Sequence, residues 1–119
     1  MVIVQKILVL FLFGLVIFSC NRDTVEEVNC ESIETPVFEG EVQNIINLSC
    51  AYGGCHTSGF GHGDYSTYDN IQGTNLDKFV TEISNGEMPP SYATNGPKTL
   101  TAGELLTLQC WAQGGYLEN

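Results

Sequence analysis

Apolar residues fall in short runs separated by polar, glycine-rich or proline-containing stretches. The first run, Ile7 to Phe18, is broken only by Gly14 and follows Lys6. A run of this length behind a basic residue reads as the core of an export signal and is too short for a spanning helix. The next run holds Phe38, Val42, Ile45, Ile46 and Leu48, and its i, i+4, i+7, i+8 spacing gives one apolar helical face. It predicts a helix over 38–48 that delivers the chain into Cys50. Ser66 to Ile71 predicts a short helix with Ser66 as its cap. Leu76, Phe79, Val80 and Ile83 share one side of a further helix over 76–83, stopped by Asn85 and Gly86. The last helix is predicted over 101–113. Thr101 and Glu104 fit a capping box there, Leu105, Leu108 and Ala112 form a stripe beside Leu106 and Trp111, and Gly114 and Gly115 end it. No stretch alternates long enough to predict a strand, and no segment repeats.

The loops between these helices carry the more unusual residues. Residues 57–65 are rich in glycine and include His62 and Tyr65. Residues 87–97 hold Met88, Pro89 and Pro90, where proline forbids helix and stiffens the backbone. The predicted organisation is a signal peptide over 1–19, an acidic tether over 20–36 and one helical domain over 37–119.

Val16, Ile17, Phe18 and Ser19 ahead of Cys20 resemble a bacterial lipobox, in which Cys20 becomes the lipidated first residue of the mature chain. The alternative is an ordinary signal or a single anchor. Removal of residues 1–19 leaves three basic residues against fourteen acidic ones, a formal charge of −11. Such a surface excludes nucleic acid as a partner, because phosphates need Lys and Arg. It suits a partner with a basic docking face, or simple solvation.

Chemistry concentrates at Cys50, Cys55 and His56. The spacing is C-x4-C-H, a longer relative of the C-x-x-C-H signature in which two cysteines bind haem vinyl groups as thioethers and the histidine ligates iron. Gly53 and Gly54 allow the two extra residues to loop out. The second axial face needs another ligand. Met88 is the single methionine left after signal removal and sits on the proline-stiffened loop, so it is the expected distal ligand. His62 is the rival, only six residues beyond His56; its other reading is a loop histidine at the cofactor edge or in solvent. Tyr65 and Tyr68 are candidate donors to haem propionates or plain wall residues, and Trp111 packs near the haem or on the first helix. With Cys20 lipidated and Cys50 and Cys55 on haem, Cys30 and Cys110 remain for a disulfide in an oxidising compartment. That bridge would contribute ~4 kcal/mol in the chain-entropy account. A large flat cofactor would also fill much of the core of so small a domain, coupling folding to its insertion.

These elements together resemble the small c-type cytochrome domains of bacterial lipoproteins, particularly those of Bacteroidota. The shared pattern is an apolar helix (Val42 to Leu48), C-x4-C-H (Cys50 to His56), a tyrosine-bearing helix (Tyr65 to Ile71), Met88 to Pro90, and a closing helix through Cys110, Trp111, Gly114 and Gly115. The resemblance covers about 75 of the 119 residues. It implies an all-α, class I cytochrome c-like fold of three to four short helices around one covalent haem c. Cys50 and Cys55 would carry the thioethers, with His56 proximal and Met88 distal. The implied role is a membrane-tethered one-electron carrier, exported and lipid-anchored on the periplasmic side or the cell surface, serving redox partner proteins. Two protein ligands leave no open iron position, so no enzyme activity is expected; easy release of Met88 would open the iron to peroxidase-like or gas chemistry.

Two other readings use the same residues. Cys50, Cys55, His56 and His62 could form a structural zinc site in a protein-interaction module, although no insert separates the cysteine and histidine pairs and Met88 goes unused. A disulfide-stapled surface lipoprotein without cofactor leaves His56 without a role.

Overall fold

Helix is the one regular structure among the described residues, which in this computed structural model are 28–93 and 99–119. The expected signal peptide over 1–19 and the expected lipidation site Cys20 lie outside them. Four helices follow in order: α1 (Gln43–Ser49), α2 (Tyr68–Gln72), α3 (Leu76–Ser84) and α4 (Ala102–Gln113). The chain is therefore all-α in its described part. No helix there is long and apolar enough to cross a membrane.

The expected helix over 38–48 forms only in its second half. Phe38–Val42 is a wide turn in which Glu39 (ψ 101°) and Gly40 (φ 130°) leave helical geometry. Gly40 can hold that angle because it has no Cβ. The N–H groups of Phe38 and Glu39 are not idle. They donate to the carbonyls of Leu117 (2.8 Å) and Glu118 (2.9 Å), stitching the turn to the end of the chain. The expected i, i+4, i+7, i+8 face is the buried one: Phe38, Val42, Ile45 and Ile46 all point into the core. Val42, Ile45, Ile46 and Ser49 face inward, while Leu48 is 56 % exposed. Positions 42, 45, 46 and 49 are one 3.6-residue stripe, and Leu48 falls off it.

Helix α2 begins two residues later than its predicted cap. Thr67 Oγ1 accepts from the Asn70 N–H (3.3 Å), whereas Ser66 donates its N–H and hydroxyl to the Asp64 carboxylate. Helix α3 is capped by Asn75, whose Oδ1 accepts from the Lys78 N–H at 3.0 Å, and it stops at Asn85 before Gly86 (φ 71°). Thr101 and Glu104 form the capping box of α4 in both directions. The buried face of α4 is Thr107, Leu108, Cys110 and Trp111; it keeps Leu108 of the expected stripe and the adjacent Trp111, with Leu105 half-buried against the core.

Trp111 anchors that face. Its side chain is fully buried, its Nε1–H donates to the Leu117 carbonyl at 2.8 Å, and its ring meets Phe38, Phe79 and Tyr116 at centroid distances of 5.9, 6.4 and 5.0 Å. The largest side chain of the core thus sets the phase of the helix that carries it. Trp111 meets Phe38, at the start of the segment expected as the first helix, and Phe79, which also faces the cleft described below. Next to it, Cys110 is bonded to Cys30, with Cα atoms 5.6 Å apart. The bridge holds Cys30, within the stretch read as a tether, against α4, where Gln113 Nε2–H also reaches the Val28 carbonyl at 3.5 Å.

Candidate functional site

A half-open cleft lies between the loop that follows α1 and the loop that follows α3. It holds about 710 Å³ of empty space, part of it open to solvent. Cys50, Cys55, His56 and Met88 all line it. The structure thus brings Met88 together with a motif that ends thirty-two residues earlier. Apolar walls come from Phe79, Ile83 and Pro89.

Backbone hydrogen bonds shape the motif. The Cys55 N–H donates to the Tyr52 carbonyl (3.0 Å) and the His56 N–H to the Cys50 carbonyl (3.1 Å), closing the longer spacing into a compact loop. Gly54 (φ 94°) supplies the left-handed residue that this closure uses. Both cysteines are unbonded thiols, Cys50 buried and Cys55 half-buried. Burial, with the Cys55 thiol beside it adding to the effect, pushes the Cys50 pKa up to about 12. Cys50 is therefore a neutral thiol near neutral pH.

His56 is held on two sides. Its Nδ1 lies 2.9 Å from the His62 carbonyl oxygen. A carbonyl only accepts, so Nδ1 carries the proton and the Nε2 lone pair is left for a metal. Tyr65 stacks on the imidazole with centroids 4.0 Å apart and planes 7° from parallel. The return of the loop is fixed by the Tyr65 N–H, which donates to the His56 carbonyl at 3.0 Å, and by Gly63 at φ 86°. Burial lowers the His56 pKa, outweighing the backbone hydrogen bonds that raise it. Both effects of this setting, neutral ring and fixed tautomer, are those of a metal-ligating histidine.

The other candidates separate clearly. His62 is an exposed loop side chain on the cleft wall, 6.3 Å from the His56 ring centroid, and its backbone carbonyl does the work of orienting His56. Tyr65 is a buried wall residue braced on His56. Tyr68 is outside the cleft, its hydroxyl donating to the Tyr116 carbonyl at 2.9 Å, so it is a packing residue and not a donor to a group in the cleft. Among the described residues no three His, Cys, Asp or Glu side chains are grouped to hold a metal ion. Cys50, Cys55, His56 and His62 accordingly do not form the four-ligand set read for zinc.

Sequence reasoning passed over four wall residues, Tyr52 of the motif loop among them. Ser49 is 2 % exposed and its Oγ has no hydrogen-bond partner among the described residues. Its place seven residues after Val42 was the available signal. Glu82 lines the cleft from α3 and is paired with Lys78 at 3.5 Å. Tyr92 stands at the cleft, 82 % exposed. No family model, no curated protein and no solved structure matches the chain.

Proposed function

We propose that this chain is a mono-haem c-type cytochrome that carries single electrons, exported and tethered to a membrane by lipid on Cys20. The observation that carries the reading is that Cys50, Cys55, His56 and Met88 line one cleft. The donor set fits the cofactor. Cys50 and Cys55 would hold it through thioethers, which are uncharged and so tolerate the burial that keeps Cys50 neutral. His56 would ligate iron through Nε2, held in place by the His62 carbonyl and the Tyr65 ring. Met88 would supply a thioether sulfur, a soft ligand that favours reduced iron. Haem c supplies the one-electron iron chemistry. The protein's part is orientation, exclusion of water by Phe79, Ile83 and Pro89, and an open side through which a partner comes near.

The all-α architecture is compatible with a class I cytochrome c-like fold, to which we assign it on the order of elements: helix, C-x4-C-H loop, short helices, methionine loop, closing helix. The acidic surface suits a redox partner with a basic docking face. With His56 and Met88 both holding the iron, no open position would be left for a substrate, so we assign the chain to electron transfer rather than to enzyme chemistry. The test is a spectroelectrochemical titration of the matured protein beside Met88→Ala. A reversible one-electron transition, with an altered ferric spectrum and a lower potential in the variant, supports the reading. An unchanged variant spectrum removes Met88 from the iron.

A further inference from the structure

Ser49 breaks the chemistry of its own helix face. The inward stripe of α1 is Val42, Ile45 and Ile46, all aliphatic, and then Ser49. Its hydroxyl is fully buried and bonds to nothing among the described residues. A buried hydroxyl without a partner gives up its hydration for no return, and alanine at the same position would avoid that and favour helix. Ser49 also borders the cleft, next in sequence to Cys50. A turn of the side chain about χ1 would bring this orphan donor to a group held in the cleft, where an acceptor could satisfy it.

We propose that Ser49 Oγ–H is a hydrogen-bond donor to the cofactor held in the cleft, acting on an electron-rich atom at its edge, either a thioether sulfur or a carboxylate. The proposal rests on the cytochrome reading. A donor at that edge stabilises the reduced, more electron-rich state more than the oxidised one. Ser49 is then a residue that sets the potential and has no part in ligating iron. Its loss shifts the one-electron equilibrium about fivefold toward the oxidised form, a fall of about 40 mV at 59 mV per tenfold.

The experiment uses the haem-loaded protein with Ser49→Ala, and the pair Ser49→Thr and Ser49→Val, which match in volume and differ by the hydroxyl. Midpoint potential and thermal midpoint are read for each. The expected result is a lower potential in Ser49→Ala and Ser49→Val, with Ser49→Thr near the parent. A parental potential in Ser49→Ala, with equal or higher thermal stability, overturns the proposal, since the hydroxyl then has no partner on the cofactor. Equal shifts in Ser49→Thr and Ser49→Val also overturn it, because the effect is then one of volume. A parent chain that retains no haem after denaturation overturns the cytochrome reading and this proposal together, and is seen before any variant is made.

Discussion

Replacing both Cys30 and Cys110 by alanine should destabilise the domain by about 4.5 kcal/mol, the loop-closure term for a separation near 80 residues. The separation is 80 in this chain. The term acts on the unfolded state, where the bridge forbids most of the long-loop conformations. Alanine is the replacement of choice because Cys110 is 2 % exposed, and a hydroxyl there would add its own penalty of ~1–3 kcal/mol. For a domain of this size each kcal/mol moves the thermal midpoint by roughly 4–8 °C, so the expected fall is roughly 20–35 °C. The site should hardly notice in the folded state. Among the described residues no residue of α4 and none before Ser49 lines the cleft, so the absorption spectrum of the folded variant should match the parent. Thermal unfolding followed by far-ultraviolet circular dichroism, with the visible spectrum recorded below the transition, reads both quantities. A midpoint within a few degrees of the parent refutes the loop-closure reasoning. A changed spectrum at low temperature refutes the independence of bridge and cleft.

Gly63→Ala should cost about 1 kcal/mol or more, because a side chain at φ 86° is strained and its Cβ would stand 3.3 Å from Thr74 Cγ2. Gly61→Ala, where a Cβ meets nothing within 4 Å, is the control, and urea unfolding separates the two. The capping box of α4 should show a pH signature. Hydrogen bonds from the Thr101 N–H and hydroxyl hold the Glu104 pKa below its ordinary 4.5. A depressed folded pKa stabilises fully above the unfolded value, and that stability is lost as pH falls from 4.5 through the lower folded pKa. Glu104→Gln should therefore be less stable than the parent by about 0.3–1 kcal/mol at pH 7, and the gap should close in acid. A gap that persists unchanged at pH 3 contradicts this.

Local signals were legible where local chemistry decides the structure. Thr101 and Glu104 announce the start of α4, and Asn85 and Gly86 announce the end of α3. The motif and its distant methionine were legible as residue types, and the cleft gathers them. What the pattern missed was set by long-range contacts. Gly40 stops the first helix because residues 38 and 39 bond to residues 117 and 118, far away in sequence. The buried face of α4 widens beyond the leucine stripe at Leu108 to take in Cys110, whose bridge to Cys30 the period does not show. At Leu48 and Ser49 the residue types mislead while the 3.6-residue period of Val42, Ile45 and Ile46 does not: it puts Ser49 inside and Leu48 outside, as found. The role of the His62 carbonyl was invisible because a backbone acceptor leaves no mark in the side-chain sequence.

The most direct test of the account is a pyridine haemochrome spectrum. The full chain is matured in a host competent for c-type haem attachment, denatured, and compared with Cys50→Ala/Cys55→Ala and with His56→Ala. The account predicts a c-type haemochrome that stays with the polypeptide through denaturation in the parent and disappears in the double cysteine variant. A colourless parent from a host that matures a known c-type cytochrome contradicts it.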